Sequence, residues 1–201
     1  EKNGDLTVLL RGADQDHDVR VRISAAARPA HASLKFDELG AEVAVSGNTL
    51  VAGAWLADVG GVANQGAAYV FVRAGTTWSR QAKLVADDGA DSDSFGRGLA
   101  VDGDTVLVGS ALADVGGQTN RGAVYGFVRN GTTWSQQAKL VASDGAAADY
   151  FGNAVALAGG TTVIGAQGKK GPASYPNPSV GGVYFGTLLA TPGLGCENGA
   201  E

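Results

Sequence analysis

The chain has 201 residues, 44% hydrophobic and 17% charged, with 32 glycines, five prolines, no methionine and a formal net charge of −5. That is too apolar for a disordered segment and long enough to bury a core, while the acidic balance argues against a nucleic-acid surface or a polybasic membrane patch. No apolar run reaches the roughly 18 residues of a membrane-spanning helix, the glycines follow no G-X-Y period, and one cysteine, Cys196, provides no internal disulfide.

From the amino terminus, "LTVLL" and "VRVRIS" read as two strands around an acidic turn, "DQDHD". Asp14, Asp16 and Asp18 stand at alternate positions there. Alternate carboxylates in a loop converge on one cation such as Ca²⁺, whereas in a strand they share a face. No glycine or later acidic residue completes a calcium loop. Both readings stay open: a calcium site, or a solvated acidic turn.

After residue 35 the chain repeats itself. "LVAGAWLADVGGVANQGAAYVFVRAGTTWSRQAKLVADDG" begins at Leu50, and "LVGSALADVGGQTNRGAVYGFVRNGTTWSQQAKLVASDG" at Leu107. Trp78 and Trp134 lie 56 residues apart, as do Phe95-Gly96 and Phe151-Gly152, and Gly109 and Gly165. Stepping back by the same interval reaches Leu39-Gly40 and Gly53. Tyr69, Tyr125 and Tyr184 continue the series, the last interval being 59 because of an insertion in "QGKKGPASYPNPSVGG". Three copies therefore start near Leu39, Phe95 and Phe151, and the third stops before a "TTWSQQAKL" segment.

Within one copy, "GLAV" and "TVLVGS" flank "DGD", a hairpin signal. "SGN" and "AGG" occupy the same place in the other copies. A polar loop follows, then "AVYGFV", a second turn, and "WSQQAKLVA". No sustained helical period appears. Four short antiparallel strands recurring every 56 residues describe a propeller blade. The expected organisation is a divergent amino-terminal part (1–35) whose second strand completes a blade, three blades (36–91, 92–147 and 148–187), and a carboxy-terminal tail (188–201).

"LGAEVAV", "FGRGLAV" and "FGNAVAL", each followed by a glycine-containing strand, resemble FG-GAP repeats, the blade unit of integrin α-subunit propellers. The variant with "GTTWSQQAKL" is similar to arrays in large secreted or surface bacterial proteins. The resemblance covers residues 36 to about 187. It implies an all-β propeller, either partial or completed by another chain, an extracytoplasmic setting, and binding in place of catalysis. The family's aspartate-rich calcium hairpin is absent: Asp102 and Asp104 alone cannot supply the oxygens that Ca²⁺ takes.

The resemblance also implies that the long loops 55–66, 111–122 and 167–181 share a ligand-binding face with the blade connections. Trp55, Asp58, Asp114 and Tyr175 are the ligand candidates on those loops, for a protein or glycan partner or for neighbouring copies in an oligomeric assembly. The acidic connection "DDGADSDSF", thinned to "SDGAAADYF" in the next copy, reads as solvated loop polarity. Trp78 and Trp134 read as caps on the outer edges of their own blades. With only His17 and His31, and no nucleophile elbow, phosphate loop or HExxH motif, no catalytic residue is expected.

Overall fold

The structure is a computed structural model that describes residues 6–11, 18–23, 37–171 and 179–187. Its described residues form thirteen strands and no helix. β1 (Leu6–Arg11) and β2 (Asp18–Ile23) pair antiparallel as a separate two-stranded ribbon, with Arg11 opposite Asp18.

The first four-stranded sheet is β3 (Val43–Ser46), β4 (Thr49–Ala54), β5 (Ala67–Ala74) and β6 (Thr77–Leu84), hydrogen-bonded in that order. The second repeats it with β7 (Gly98–Asp102), β8 (Thr105–Ser110), β9 (Ala123–Asn130) and β10 (Thr133–Leu140). The third holds β11 (Phe151–Ala158), β12 (Thr161–Ala166) and β13 (Gly182–Thr187). It has three strands where four per blade were expected, because the chain lacks a third "TTWS" segment. β2 pairs with β1, and no fourth strand joins β13 among the described residues.

The second blade buries one face against the first blade and the other against the third. Val51, Ala68 and Val70 of the first blade meet Phe95, Val106, Val108, Tyr125 and Phe127 of the second in one buried cluster. Ala100, Leu107 and Val124 on the second blade's other face meet Phe151, Ile164 and Ala166 of the third. Alternation along a strand makes this two-sided burial possible, since neighbouring side chains point to opposite faces.

Glycine decides how close the blades come. A Cβ on Gly53 would lie 2.0 Å from the carbonyl oxygen of Gly96, and one on Gly109 would lie 1.9 Å from that of Gly152. The aromatic–glycine turn of each blade thus presses its backbone directly on the glycine of the blade before. A parallel bridge fixes the same seam, Gly66 to Phe95 and Gly122 to Phe151, with the Phe95 amide donating to Gln65 O at 2.9 Å and the Phe151 amide to Arg121 O at 3.0 Å.

The outer strands carry a matching irregularity. β6 and β10 each bulge by one residue, at Gln81 and Gln137. A bulge re-aims its extra side chain, and Gln81 turns to the next blade, where its Oε1 accepts the Trp134 indole N–H at 2.8 Å. Trp134 therefore ties its blade to the preceding one, beyond the capping of its own edge expected from sequence.

Candidate functional site

The loops β4–β5 and β8–β9 gather at one end of the blade stack together with the connections between blades. The amides of Ser92, Ser94 and Phe95 donate to the carbonyls of Ala63, Asn64 and Gln65, and those of Ala148, Tyr150 and Phe151 to Thr119, Asn120 and Arg121. The short hairpin turns lie at the opposite end, where Gly159 N–H donates to Asp102 Oδ2 at 2.8 Å.

Each of the two loops is itself a miniature hairpin. Val59 and Val62 exchange both backbone hydrogen bonds across Gly60-Gly61, and Val115 and Gln118 do so across Gly116-Gly117. Successive positive-φ residues make the tight turn that suits twisted strands. Asp58 Oδ1 accepts the Asn64 amide at 2.9 Å and Asp114 Oδ1 the Asn120 amide at 2.8 Å, and both asparagines hold a left-handed backbone, φ 49° and 53°. The carboxylates thus serve their own loops, each with its side chain exposed at the stack's end.

Trp55 stands at the root of the first loop, half-buried, with the Arg97 guanidinium 5.3 Å above its ring. Arg97 follows the Phe95-Gly96 turn of the next blade, so this cation–π pair spans the seam. The second and third repeats put Ala111 and Gln167 at the same position, and Gln167 Oε1 accepts from Asn153, the counterpart of Arg97, at 3.1 Å. Tyr175, Asp14 and Asp16 fall outside the described residues; Asp18 opens β2, paired in a strand with Arg11. Among the described residues no three His, Cys, Asp or Glu side chains come together as a metal site.

The connections hold groups that the sequence reading passed over as solvated polarity. Asp93 and Asp149 are buried, 5% and 1% exposed, and each Oδ2 accepts an amide within its own turn, Ala90 and Ala146, at 2.8 Å. Desolvation pushes the Asp93 carboxyl above the usual carboxylate range, though the Ala90 amide pulls it back in part. Asp88 and Asp144, the in-register pair, clasp the following blade. Tyr125 donates to Asp88 Oδ1 at 2.9 Å, and Lys139 bonds Oδ2 at 2.6 Å with its ammonium 5.3 Å over the Tyr125 ring. Burial works to raise the Asp88 pKa, but the hydrogen bonds from Lys139 and Tyr125 outweigh it and hold the carboxyl low. Desolvation and the Asp88 hydrogen bond push the Tyr125 phenol far up.

The third blade rebuilds this clasp with a different lysine. Tyr184 donates to Asp144 Oδ1 at 2.8 Å, and Lys169 reaches Asp144 Oδ2 at 3.0 Å and Asp149 Oδ2 at 3.3 Å. Lys169 comes from the β12–β13 loop, at the place of buried Ala57 and Ala113, and substitutes for the outer-strand lysine that the third blade lacks. The 56-residue register was the signal for these connections: there, the acidic residues that survive between copies, Asp88 with Asp144 and Asp93 with Asp149, are the ones with buried or clasping roles.

The FG-GAP repeat family matches the chain three times, at residues 32–71, 78–127 and 134–185. The chain belongs to the FG-GAP repeat family. Its second and third FG-GAP matches start at Trp78 and Trp134 and end in β9 and β13, so each joins one blade's outer strand to three strands of the next. The structure accordingly presents FG-GAP blades of a partial β-propeller, and no helix among the described residues is long and apolar enough to cross a membrane. No curated protein matches the chain.

Proposed function

We propose that this FG-GAP array is a non-catalytic recognition module of a secreted or surface protein, presenting the β4–β5, β8–β9 and β12–β13 loops to a protein or glycan ligand. The observation that carries the reading is the contrast between frame and display at one end of the stack. Asp58 and Asp114 make the same bond in two loops, while one root position holds Trp55, Ala111 and Gln167 in turn. A frame held constant with variable side chains on it is how rigid scaffolds carry recognition. The setting outside the cytoplasm rests on the kinship of the repeat.

Glycan arrays and immobilised matrix proteins, probed with the chain and with Trp55→Ala, test this reading. Binding that weakens about tenfold or more on losing the ring, with the melting temperature held, supports it; unchanged binding removes Trp55 from the site. A second reading, a structural block within a larger surface assembly, draws on the exposed Val183 and Phe185 of the third blade. Filament or shell formation by the purified chain would favour it.

A further inference from the structure

The chain builds the same arginine contact on two blades, at the hairpin-turn end of the stack. On the first blade Arg73 lies opposite Trp78 across β5 and β6, its guanidinium 5.7 Å from the indole ring, and its Nε–H donates to Asn48 Oδ1 at 3.0 Å. On the second, Arg129 lies 5.2 Å from the Trp134 ring and its Nε–H donates to Asp104 Oδ1 at 2.7 Å. Each guanidinium thus has an indole under its face and an oxygen acceptor at its edge. That division suits the group, because its face is weakly hydrated and its N–H fork lies in its own plane.

The loop end carries another arginine–tryptophan pair, with the acceptor missing. The Arg97 guanidinium stands 5.3 Å from the Trp55 ring, and no oxygen among the described residues accepts from it. Both partners are fixed at their roots and half-buried: the Arg97 amide donates to Gly109 O at 3.2 Å, and Trp55 follows directly on β4. The pair occurs once. The other repeats hold Ala41 and Asn153 at the arginine position, and Ala111 and Gln167 at the tryptophan position. The second seam closes without such a pair, so packing of the blades does not call for it.

We propose that the missing acceptor comes from the ligand: Arg97, held on Trp55, takes the carboxylate of an Asp or Glu side chain on a protein partner. The inference rests on the recognition reading and names the group that is read. A guanidinium already oriented by a ring loses less freedom on binding, and its paired N–H groups match the two oxygens of a carboxylate. A polyanion is disfavoured by the net charge of −5 and by Asp58, Asp91 and Asp114, exposed at the same end. An acidic sugar fits less well than a peptide. The guanidinium covers one indole face, and the crest of the Trp55 loop, Val59-Gly60-Gly61-Val62, offers no polar side chain to sugar hydroxyls.

Capped peptide libraries with a central Glu or Asp between apolar residues, their Gln and Asn counterparts, and sialyl- and glucuronyl-oligosaccharides are the probes. Titrated into the isotopically labelled chain, the acidic peptides should move the Arg97 Nε–H and Trp55 indole N–H resonances together. The Gln and Asn peptides should bind at least about tenfold more weakly, as expected when a charged hydrogen bond is lost. Arg97→Gln should remove the preference for the acid, and Arg97→Lys should not restore it, since an ammonium has no planar fork. Both variants should melt within about 4 °C of the parent, the loss of one cation–π contact being small; a larger fall would make Arg97 a strut of the seam and overturn the proposal. Equal binding of acid and amide peptides, binding that survives Arg97→Gln, capture of the oligosaccharides in place of the peptides, or no binding of the acidic library at about 1 mM would each overturn it as well. Binding that ignores the charge and Arg97 but is lost in Trp55→Ala would still uphold the recognition reading, so the two fail separately.

Discussion

The third blade carries a transposition that can be reversed. β5 and β9 read "YVF" and "YGF" where β13 reads "YFG". Side chains alternate across a strand, so a one-residue shift sends the ring to the opposite face. Phe71 and Phe127 point inward and are 4% exposed, whereas Phe185 points outward and is 59% exposed. The inward place falls to Gly186, whose added Cβ would meet nothing within 4 Å. A groove lined by Leu140, Phe151, Thr162, Ile164 and Tyr184 is left behind. The double variant Phe185→Gly with Gly186→Phe returns the ring to the seam, and the strand keeps one glycine, so the backbone entropy of glycine largely cancels. Full burial of such a side chain is worth about 1.5–3 kcal/mol. The missing outer strand leaves one flank wet, so about 1–2 kcal/mol is the expected gain. For a chain of this size that raises the melting temperature by about 2–8 °C. Calorimetry at neutral pH reads the shift, and urea unfolding should move the midpoint without changing the slope. A melting temperature that stays level or falls would show that the seam between second and third blades has no room for the ring, and the account of the groove would fail.

Four further outcomes follow from the seams. Gly109→Ala should cost about 3 kcal/mol or more, since its Cβ would sit 1.9 Å from a backbone oxygen and overpacking against backbone lies at the high end of that class; a melting shift below 2 °C, roughly 1 kcal/mol at this chain length, would contradict the close approach. Thr162→Val should stabilise by roughly 1 kcal/mol, because the buried Thr162 hydroxyl has no partner in the place of Val106, and equal or lower stability in denaturant would refute this. Asp88 and Asp144 hold depressed pKa values, so their stabilisation is present above the unfolded value of 3.8 and is lost as pH falls through the folded one; Asp88→Asn with Asp144→Asn should flatten the acid limb of a pH–melting curve. Tyr125 is shifted the other way, so its contribution is present below the unfolded value of 10.0 and is lost above it, and Tyr125→Phe should remove that alkaline slope.

Strand order, repeat length and the truncated third blade were legible because they depend on periodicity, which one sequence displays. Two-residue turns such as Gly103-Asp104 and alternating runs such as "TVLVGS" carry their own geometry. The seams were less legible. That Gly109 meets Gly152, or that a bulge turns Gln81 onto Trp134, depends on how one blade lies on another. The acidic connections were misjudged by composition when register held the answer. Asp88 and Asp93 recur as Asp144 and Asp149, and these four are the ones with buried or clasping roles, while Asp87 and Asp91, which do not recur, are exposed.

Recurrence and departure therefore carry different information in this chain. A residue that returns every 56 positions answers to a seam, so Gly165 is intelligible only by what presses on Gly53 and Gly109. Where the third repeat departs, two cases separate. Lys169 departs in order to preserve, carrying a positive charge to Asp144 from a loop because no outer strand brings one. Phe185 departs without preserving any contact among the described residues, since its move opens a groove on one face and exposes a ring on the other. Reversing "YFG" should therefore stabilise the chain on both counts, filling the groove and withdrawing the ring from solvent.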